Sequence, residues 1–493
     1  MSDDLPSRLF AAGRAHTNVE TFAVSSKEVN TGVFRLEGAF YGSAGYRALK
    51  TMTRAGFDLT TVGQLARVIW LGPFGRTYVD DPAHGVPFLS SSEMLEAKPD
   101  PKNYISKALT RNLERLIVRE GTILVSCSGT IGNMTLWTAD LDGMAVSQHA
   151  IRVIPMDDLD RGFLYAFLLG EAGQFLVKRN KSGSVVESIY EADVSTLPIP
   201  LLPKALRREL TRLVSEACDL RAKANKTLRE AEDALWTQNY LNRVPRSTSV
   251  ERKAFVSSRR ALEAVLGETK QLRLDATFFR PDAIAIRERI KRCPRWGTLA
   301  SLGADVILLG KTFIPGVHKV GHDWGIPYFT GKELIRMNLD ADTFIASQKT
   351  SDLERLTVQR NMVLVTCAGT VGRVAYVQGQ LEGAAVTHDA IRVISPRDIS
   401  PGYVYAFLAS EAGQLQLQQC AYGSVIPRLH SQHIESIVMP VPGDGGAAIG
   451  ASVDAAYDCR TKATVCEKEA VSLFTSAIER GRAYIESEWG SEY

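Results

Sequence analysis

The sequence predicts an α+β protein with two tandem, similar α/β modules, each followed by a long helix. Three observations predict this fold class: a repeat at an offset of 240 residues, short apolar runs punctuated by glycine and proline in each copy, and a long amphipathic stripe after each copy. We expect the two helices to pack as an antiparallel coiled coil with pseudo-two-fold symmetry, because duplicated modules in one chain often close in this way.

The repeat is most visible in a glycine-containing stretch that occurs twice. Residues 121–133 read GTILVSCSGTIGN, and residues 361–373 read NMVLVTCAGTVGR. The same offset of 240 relates the IRV triplet at 151–153 to the IRV triplet at 391–393. A register kept over about 170 residues indicates two diverged copies of one module.

Each copy contains the same series of predicted elements. Ile123–Val125 and its counterpart Val363–Val365 are expected to be buried strands. The Ser/Ala-Gly-Thr-Ile/Val-Gly that follows predicts a turn, because glycine allows positive φ. Helical stretches are expected to begin at Phe163 and Tyr403, and a Pro-X-Pro motif ends the mixed part of both copies.

A near-heptad apolar stripe follows each Pro-X-Pro and predicts a helix of about 30 residues, or about 45 Å. Glycines at 443, 445, 446 and 450 predict a late or frayed start for the second helix. The predicted helix-packing residues are Leu206, Leu210, Leu213, Leu220, Leu235, Ile449 and Val453. The predicted organisation is a first module at 1–203, a central helix at 204–237, a connector at 238–272, a second module at 273–442, and a C-terminal helix with a tail at 443–493.

The composition is that of an ordinary globular protein, with 45% hydrophobic and 23% charged residues. The net charge of +3 permits a nucleic-acid partner without demanding one. Seven dispersed cysteines without a CxxC pair, and an N-terminus without an apolar signal segment, predict a cytoplasmic protein. No apolar run approaches the 18 residues typical of a membrane span.

The sequence lacks the motifs of several enzyme classes, which predicts a chain without catalysis, cofactor or metal. It contains neither a strand-linked GxGxxG nor a GxSxG nucleophile elbow. Gly310-Lys311-Thr312 resembles the end of a phosphate-binding loop, but Asp305 occupies the position that needs glycine. A carboxylate there would repel phosphate, so a basic loop is favoured over an ATP site.

Other polar clusters also favour a structural interpretation. Ser147-Gln148-His149 and Thr387-His388-Asp389 differ between the copies, and neither has metal ligands at suitable spacing around it, so a role at a turn or strand end is favoured. Cys127 and Cys367 lie between apolar strand residues, which favours buried structural thiols over nucleophiles.

Two loops leave alternatives open. The Ser-Gly-Thr-Ile-Gly turn at 128–132 is either a tight hairpin only or a set of free backbone N–H groups that approach a phosphate backbone. The stretch at 178–184, KRNKSGS, places three cations beside a glycine-containing turn and is either a solvated loop or an anion-binding loop. Its counterpart at 418–424 is polar but uncharged.

The ordered set of these motifs, found twice, closely resembles the specificity subunit of type I restriction–modification systems. In the first half the motifs are GTILVSCSGTIGN, SQHAIRVIP, SGSVVESIY and LPIPLLP; in the second they are NMVLVTCAGTVGR, THDAIRVIS, YGSVIPRLH and MPVPGDG. The resemblance extends from about Arg35 to about Leu473. It implies that each module is a target recognition domain for one half of a split double-stranded DNA site.

The resemblance further implies that the two helices set the distance between the half-sites and hold two adenine-N6 methyltransferase subunits, and that nuclease/translocase subunits can join the complex. The specificity subunit of this family is itself non-catalytic. Three alternatives remain open: a DNA-recognition subunit of a non-methylating phage-defence complex, a coiled-coil protein-interaction adaptor, and an enzyme with an unrecognised site.

Groove-facing base readers in the family vary, so the candidates here come from the chemistry of DNA contacts. Phosphates and base edges are contacted by Lys, Arg, hydroxyl and amide groups on polar loops. The segments that fit are 72–78, 90–92, 310–319 and 330–332, together with the glycine-containing loop of each copy. The DNA-binding candidates are Arg76, Lys181, Ser184, Lys311, Lys332 and Ser424. Lys181→Ala is expected to weaken binding to all sequences and to lower the salt slope by about one.

Overall fold

The chain forms two mixed α/β units with the same topology, as predicted, and two long helices to which both units are bound. The structure is a computed structural model. It describes residues 44–129, 131–179, 188–238, 278–310, 319–321, 324–339, 343–350, 352–423 and 425–493, together with residues 24, 26, 41, 42 and 341. Below, the first unit denotes the described residues up to 203, and the second unit denotes those from 278 to 442. The predicted connector, 238–272, lies outside the described residues apart from Gln238.

The first unit contains ten strands and five helices among its described residues. The helices are α1 (Ala44–Arg54), α2 (Val62–Leu65), α3 (Asp158–Leu169), α4 (Glu171–Arg179) and α5 (Glu191–Ser195). The strands are β1 (Leu59–Thr61), β2 (Ala66–Ile69), β3 (Tyr78–Val79), β4 (Gly85–Leu89), β5 (Asn103–Ser106), β6 (Ile123–Ser126), β7 (Met134–Leu136), β8 (Ala145–Val146), β9 (Ala150–Pro155) and β10 (Pro198–Pro200).

Two long helices and a second series of elements follow. The helices are α6 (Lys204–Gln238), α7 (Pro281–Ile290), α8 (Leu353–Leu356), α9 (Pro401–Ala409), α10 (Glu411–Cys420), α11 (Ser431–Glu435), α12 (Gly446–Arg480) and α13 (Arg482–Trp489). The strands are β11 (Trp296–Thr298), β12 (Asp305–Ile307), β13 (Lys319–Val320), β14 (Ile326–Phe329), β15 (Thr343–Ile345), β16 (Val363–Thr366), β17 (Val374–Tyr376), β18 (Ala385–Val386), β19 (Ala390–Ile394) and β20 (Val438–Pro440).

Each unit has two four-stranded sheets and a two-stranded ribbon. In the first unit the strand orders are β2-β9-β6-β7, β3-β5-β4-β8 and β1-β10; in the second they are β12-β19-β16-β17, β13-β15-β14-β18 and β11-β20. All pairings are antiparallel except β4 with β8 and β14 with β18. The repeat seen in the sequence is therefore a repeat of strand order and direction.

The two long helices, α6 and α12, are each 35 residues long and run antiparallel. The Arg221 guanidinium donates to Glu467, and Arg460 donates to the side-chain oxygen of Asn225 at 3.0 Å. At 1.5 Å per residue each helix spans about 50 Å. The second helix begins at Gly446, three residues after the first of the glycines predicted to delay it.

Six of the seven predicted packing residues are buried, and Leu220 is only half-buried. The predicted apolar stripe places Leu220, three residues after Ala217, on the packed face of the helix. In the structure the buried residue is Arg221, four residues after Ala217, and the buried face continues to Leu228. A charged residue occupies this position because Glu467 on the facing helix is its partner. The buried predicted residues are Leu206, Leu210, Leu213, Leu235, Ile449 and Val453.

Each unit completes its core with parts of both long helices. The core of the first unit includes the start of α6 and Phe474 near the end of α12. The core of the second unit includes the end of α6 and Ile449 at the start of α12. Gly162 of α3 allows this close packing, because a Cβ there would lie 2.3 Å from the Cα of Thr211. None of the described helices is long and apolar enough to span a bilayer.

The units also contact one another directly. Ala97 N–H donates to Ile335 O at 2.8 Å, and Met337 N–H donates to Leu95 O at 2.8 Å. The two bonds are equivalent, because adding 240 to the residue numbers of one gives the residue numbers of the other. Glu96 and Arg336 lie between them and form an antiparallel bridge. The pseudo-two-fold axis therefore passes beside these two residues. The carboxylate of Glu96 accepts from Arg373 of the other unit at 3.0 Å.

Candidate nucleic-acid interface

The repeated glycine stretch forms the same turn in both units. Gly129 has φ +77° and Gly369 has φ +72°, which is the left-handed region that favours glycine. A Cβ at either position would meet no atom of the described residues within 4 Å, apart from the chain neighbours. These glycines are therefore required for backbone conformation, and each turn projects into open space.

Two further segments lie against each turn. In the first unit, Cys127 N–H donates to His149 O at 3.0 Å, and Ile189 N–H donates to Cys127 O at 3.0 Å. In the second unit, Cys367 N–H donates to Asp389 O at 2.8 Å, and Leu429 N–H donates to Cys367 O at 2.9 Å. In both units three segments therefore lie side by side. They are the glycine turn, the loop between β8 and β9 (β18 and β19 in the second unit), and the residues just before α5 (α11 in the second unit). We call this surface the loop face.

A buried arginine orders each loop face. Arg152 donates to the carbonyl oxygens of Ser147, Ala150 and Val146 at 2.5–3.2 Å. Arg392 makes the equivalent bonds to Thr387, Ala390 and Val386 at 2.5–2.9 Å. Burial lowers the pKa of both guanidinium groups to about 10, so both remain charged at neutral pH.

This role of the arginines was not predicted from the sequence. The sequence does contain a clue, because each arginine stands between apolar neighbours in a mostly buried strand. A charged residue in such a strand needs several acceptors, and the bent loop that precedes the strand supplies them. The repeated Ile-Arg-Val motif is therefore a device that fixes the shape of a loop.

Each loop face contains one buried thiol beside a histidine-containing loop. Cys127 and Cys367 are buried, as predicted, and burial raises the thiol pKa, to about 11 for Cys367. Both thiols are therefore protonated at neutral pH, which makes them poor nucleophiles. Among the described residues, no group of three or more His, Cys, Asp or Glu side chains is placed to hold a metal ion.

Two of the six DNA-binding candidates belong to the described residues. Arg76 is half-buried in the loop before β3, where its guanidinium lies 5.0 Å from the centroid of the Phe88 ring. Lys332 is exposed in the turn after β14, and the same turn approaches the end of β16 at Thr366. Glu333 orders that turn by accepting from the Thr330 N–H at 2.6 Å.

The other four candidates lie outside the described residues. They are Lys181, Ser184, Lys311 and Ser424. The segments that flank them are described, and Ser188 bridges to Ser128 of the turn in the first unit. The loop that carries Lys181 and Ser184 therefore ends at the loop face.

An aromatic pair on the first loop face was missed in the sequence. The rings of Trp70 and Tyr190 meet edge to face with centroids 5.0 Å apart, and Tyr190 is 44% exposed. Glu191 accepts from the Trp70 N–H at 3.5 Å. The two aromatic residues are 120 positions apart in the chain, so only the fold brings them together.

Comparisons with known proteins agree with the predicted family. A family model described as the type I restriction modification DNA specificity domain matches residues 80–205, which include the turn, Arg152 and the Pro-X-Pro motif of the first unit. A search of curated proteins finds no match.

Among solved structures, the chain is similar to the type I restriction–modification system S subunit from M. genitalium, with 13% identity over 86% of this chain and 96% of that chain and a TM-score of 0.33. It is also similar to the HsdS subunit from Thermoanaerobacter tengcongensis, with 14% identity over 89% and 97% of the chains and a TM-score of 0.25. A third similar chain comes from a structure on complex assembly and conformational transition of the type I R-M system, with 13% identity over 89% and 98% and a TM-score of 0.26.

The match lies in the first unit, and the second unit repeats the strand order of the first. Residues 80–205 are therefore similar to the type I restriction modification DNA specificity domain, which agrees with the family that the sequence predicts.

Proposed function

We propose that the chain reads a bipartite duplex DNA target, one half-site with each loop face, and that it catalyses no reaction itself. The observation that carries this proposal is the repeated topology around the pseudo-two-fold axis beside Glu96 and Arg336. A two-fold axis orients two equivalent faces in opposite directions along a duplex, as in dimeric DNA-binding proteins. The two half-sites are therefore read in opposite directions.

The distance between the half-sites is set by rigid parts of the chain. Both units pack on the same antiparallel helix pair, and they also contact each other through residues 95–97 and 335–337. A helix of about 50 Å corresponds to about 15 base pairs at 3.4 Å each, which sets the length scale of the spacer. One fixed spacer length is expected, because both units pack on the same helix pair and contact each other.

The two units are expected to read different sequences because equivalent positions in them carry different donors. Arg76 of the first unit corresponds to Gly316 at the offset of 240, and Lys332 of the second unit corresponds to Ser92. Arg can bond guanine in the major groove through two donors, whereas serine and glycine cannot do so. The target is therefore expected to be asymmetric.

Two methyltransferase subunits are proposed to bind the outer faces of the helix pair, with nuclease/translocase subunits as further partners. Val465 of α12 is 59% exposed, and a shallow groove on α6 includes the half-buried Leu220 between Glu216 and Lys223. Exposed apolar groups on a helix surface are typical of partner contacts. The complex is proposed to work in the cytoplasm, because its DNA substrate is there.

Co-expression with an adenine-N6 methyltransferase subunit of a type I system tests this proposal. Native mass spectrometry of the purified complex is expected to show one chain with two methyltransferase subunits, and labelled methyl transfer is expected only to duplexes with the split site. A DNA-binding complex that transfers no methyl group would support the non-methylating alternative. A chain that binds protein but no duplex at low salt would support the adaptor alternative.

A further inference from the structure

The second loop face carries a hairpin tip that is closed by its own backbone. Tyr422 N–H donates to Arg428 O at 3.0 Å, and Arg428 N–H donates to Tyr422 O at 2.7 Å. Gly423 has φ +100°, and a Cβ there would lie 2.6 Å from the carbonyl oxygen of Ile426. Glycine is therefore needed at position 423 for this closure.

The base of this hairpin is fixed to the glycine turn of the second unit. Ala368 and Arg428 form an antiparallel bridge, and Leu429 N–H donates to Cys367 O at 2.9 Å. The ring of Tyr422 lies 5.3 Å from the ring of the buried His433. The tip therefore projects from the loop face that we propose to contact DNA, and the inference below rests on that proposed function.

The tip presents two adjacent apolar side chains to solvent. Val425 is 90% exposed and Ile426 is 52% exposed. A single exposed apolar residue is common, but an exposed β-branched pair at the end of a hairpin gains free energy only when something covers it. The first unit has Val185 and Val186 at the same offset of 240, outside the described residues.

We propose that Val425 and Ile426 pack on the 5-methyl groups of thymine in the half-site that the second unit reads. Neither side chain has a hydrogen-bond donor or acceptor, so neither can bond a phosphate or the polar edge of a base. Of the groups that the four bases present in the major groove, only the thymine methyl group is apolar. Stiff β-branched side chains on a fixed backbone lose little conformational freedom on contact.

Uracil substitution tests this contact one methyl group at a time. The half-site is first defined by selecting bound duplexes from a randomised library with the full chain. Each A·T pair of the half-site is then replaced by A·U, which removes one methyl group and keeps every hydrogen bond. For the wild-type chain, one or two of these replacements are expected to weaken binding about fourfold each, the value for one buried methyl-sized group.

The double variant Val425→Ala, Ile426→Ala is expected to bind the A·T and A·U duplexes equally. The control variant Ile394→Ala, which alters a 38% exposed residue at the far end of β19, is expected to discriminate like the wild type. Unchanged melting temperatures of all variants establish that they are folded.

Three results overturn the inference. They are equal binding of A·T and A·U duplexes by the wild type, retained discrimination in the double variant, and a half-site without any A·T pair. Fluorescence of 2-aminopurine that rises on binding in the wild type but not in the double variant would show insertion between base pairs instead. Failure of the library to yield any sequence would refute the proposed function itself, which is a different outcome.

Discussion

The buried ion pair between the two long helices allows the sharpest test of their antiparallel register. The Arg221 guanidinium donates to Glu467 through two bonds of 2.9 and 2.6 Å, and both side chains are 5% exposed. A third bond of 2.8 Å joins Arg221 to Asn338 of the second unit. Although burial lowers it, the pKa of Arg221 lies above its ordinary value because of Glu467, so the guanidinium remains charged.

Glu467→Leu removes the partner and leaves this charge buried. We expect the free energy of unfolding to fall by about 3–5 kcal/mol, the usual cost of breaking a buried pair from one side. The two long helices align at an offset of 239, which pairs Arg221 with Arg460 and Leu228 with Glu467, so leucine fits the helix at this position. The double variant Arg221→Leu, Glu467→Leu is expected to lie within about 1 kcal/mol of the wild type, since both charges are gone.

Urea unfolding of the wild type, the single variants Glu467→Leu and Arg221→Leu, and the double variant, followed by tryptophan fluorescence and circular dichroism, gives the four corners of a double-mutant cycle. The matched control is Glu230→Leu on α6, whose partner Lys226 is 4.0 Å away and exposed, and it is expected to change stability by less than about 1 kcal/mol. A loss below about 1 kcal/mol for Glu467→Leu would show that the pair is solvated, and the proposed register of the helices would then be wrong.

Three further predictions concern the units and their contacts. Gly162→Ala is expected to cost about 1–3 kcal/mol in urea unfolding because its Cβ meets Thr211, whereas Gly75→Ala, which has no described neighbour within 4 Å, is expected to be neutral. Equal losses would contradict the close packing of α3 on α6. Burial raises the pKa of Glu96 from 4.5 to about 7, so the folded state binds this proton more tightly and the carboxyl lowers stability as pH rises from 4.5 to 7. Glu96→Gln is therefore expected to stabilise the chain by about 1–3 kcal/mol at pH 8 and not at pH 4, and the reverse order would refute this reasoning. Lys332→Ala is expected to weaken binding to all duplexes and to reduce the salt slope by about one, and an unchanged slope would exclude a phosphate contact.

The repeat could be predicted from the sequence because its most constrained positions are local. Gly129 and Gly369 are needed for positive φ, and the apolar strands before them are buried in both units. Such requirements act within a few residues, so they leave a pattern that survives divergence. The buried strands before each turn, the turn position and the two long helices follow from that pattern, whereas the strand order comes from the structure alone.

The polar contacts between distant elements could not be predicted in this way. Arg221 and Glu467 are 246 residues apart. The apolar stripe of each helix gives no indication that a charged pair takes the place of one apolar contact between the helices. The bridge of Glu96 with Arg336 depends on how the two units meet, which neither copy encodes alone. Base contacts depend on exposed loop residues, which local packing does not constrain.

Modified-base sequencing of the native genome, with and without this gene, tests the central claim most directly. If the chain reads a bipartite target for a methyltransferase, N6-methyladenine occurs in one split, asymmetric motif with a single spacer length, and it disappears when the gene is deleted. A methylome that does not change on deletion, or a motif that is continuous, would contradict the account.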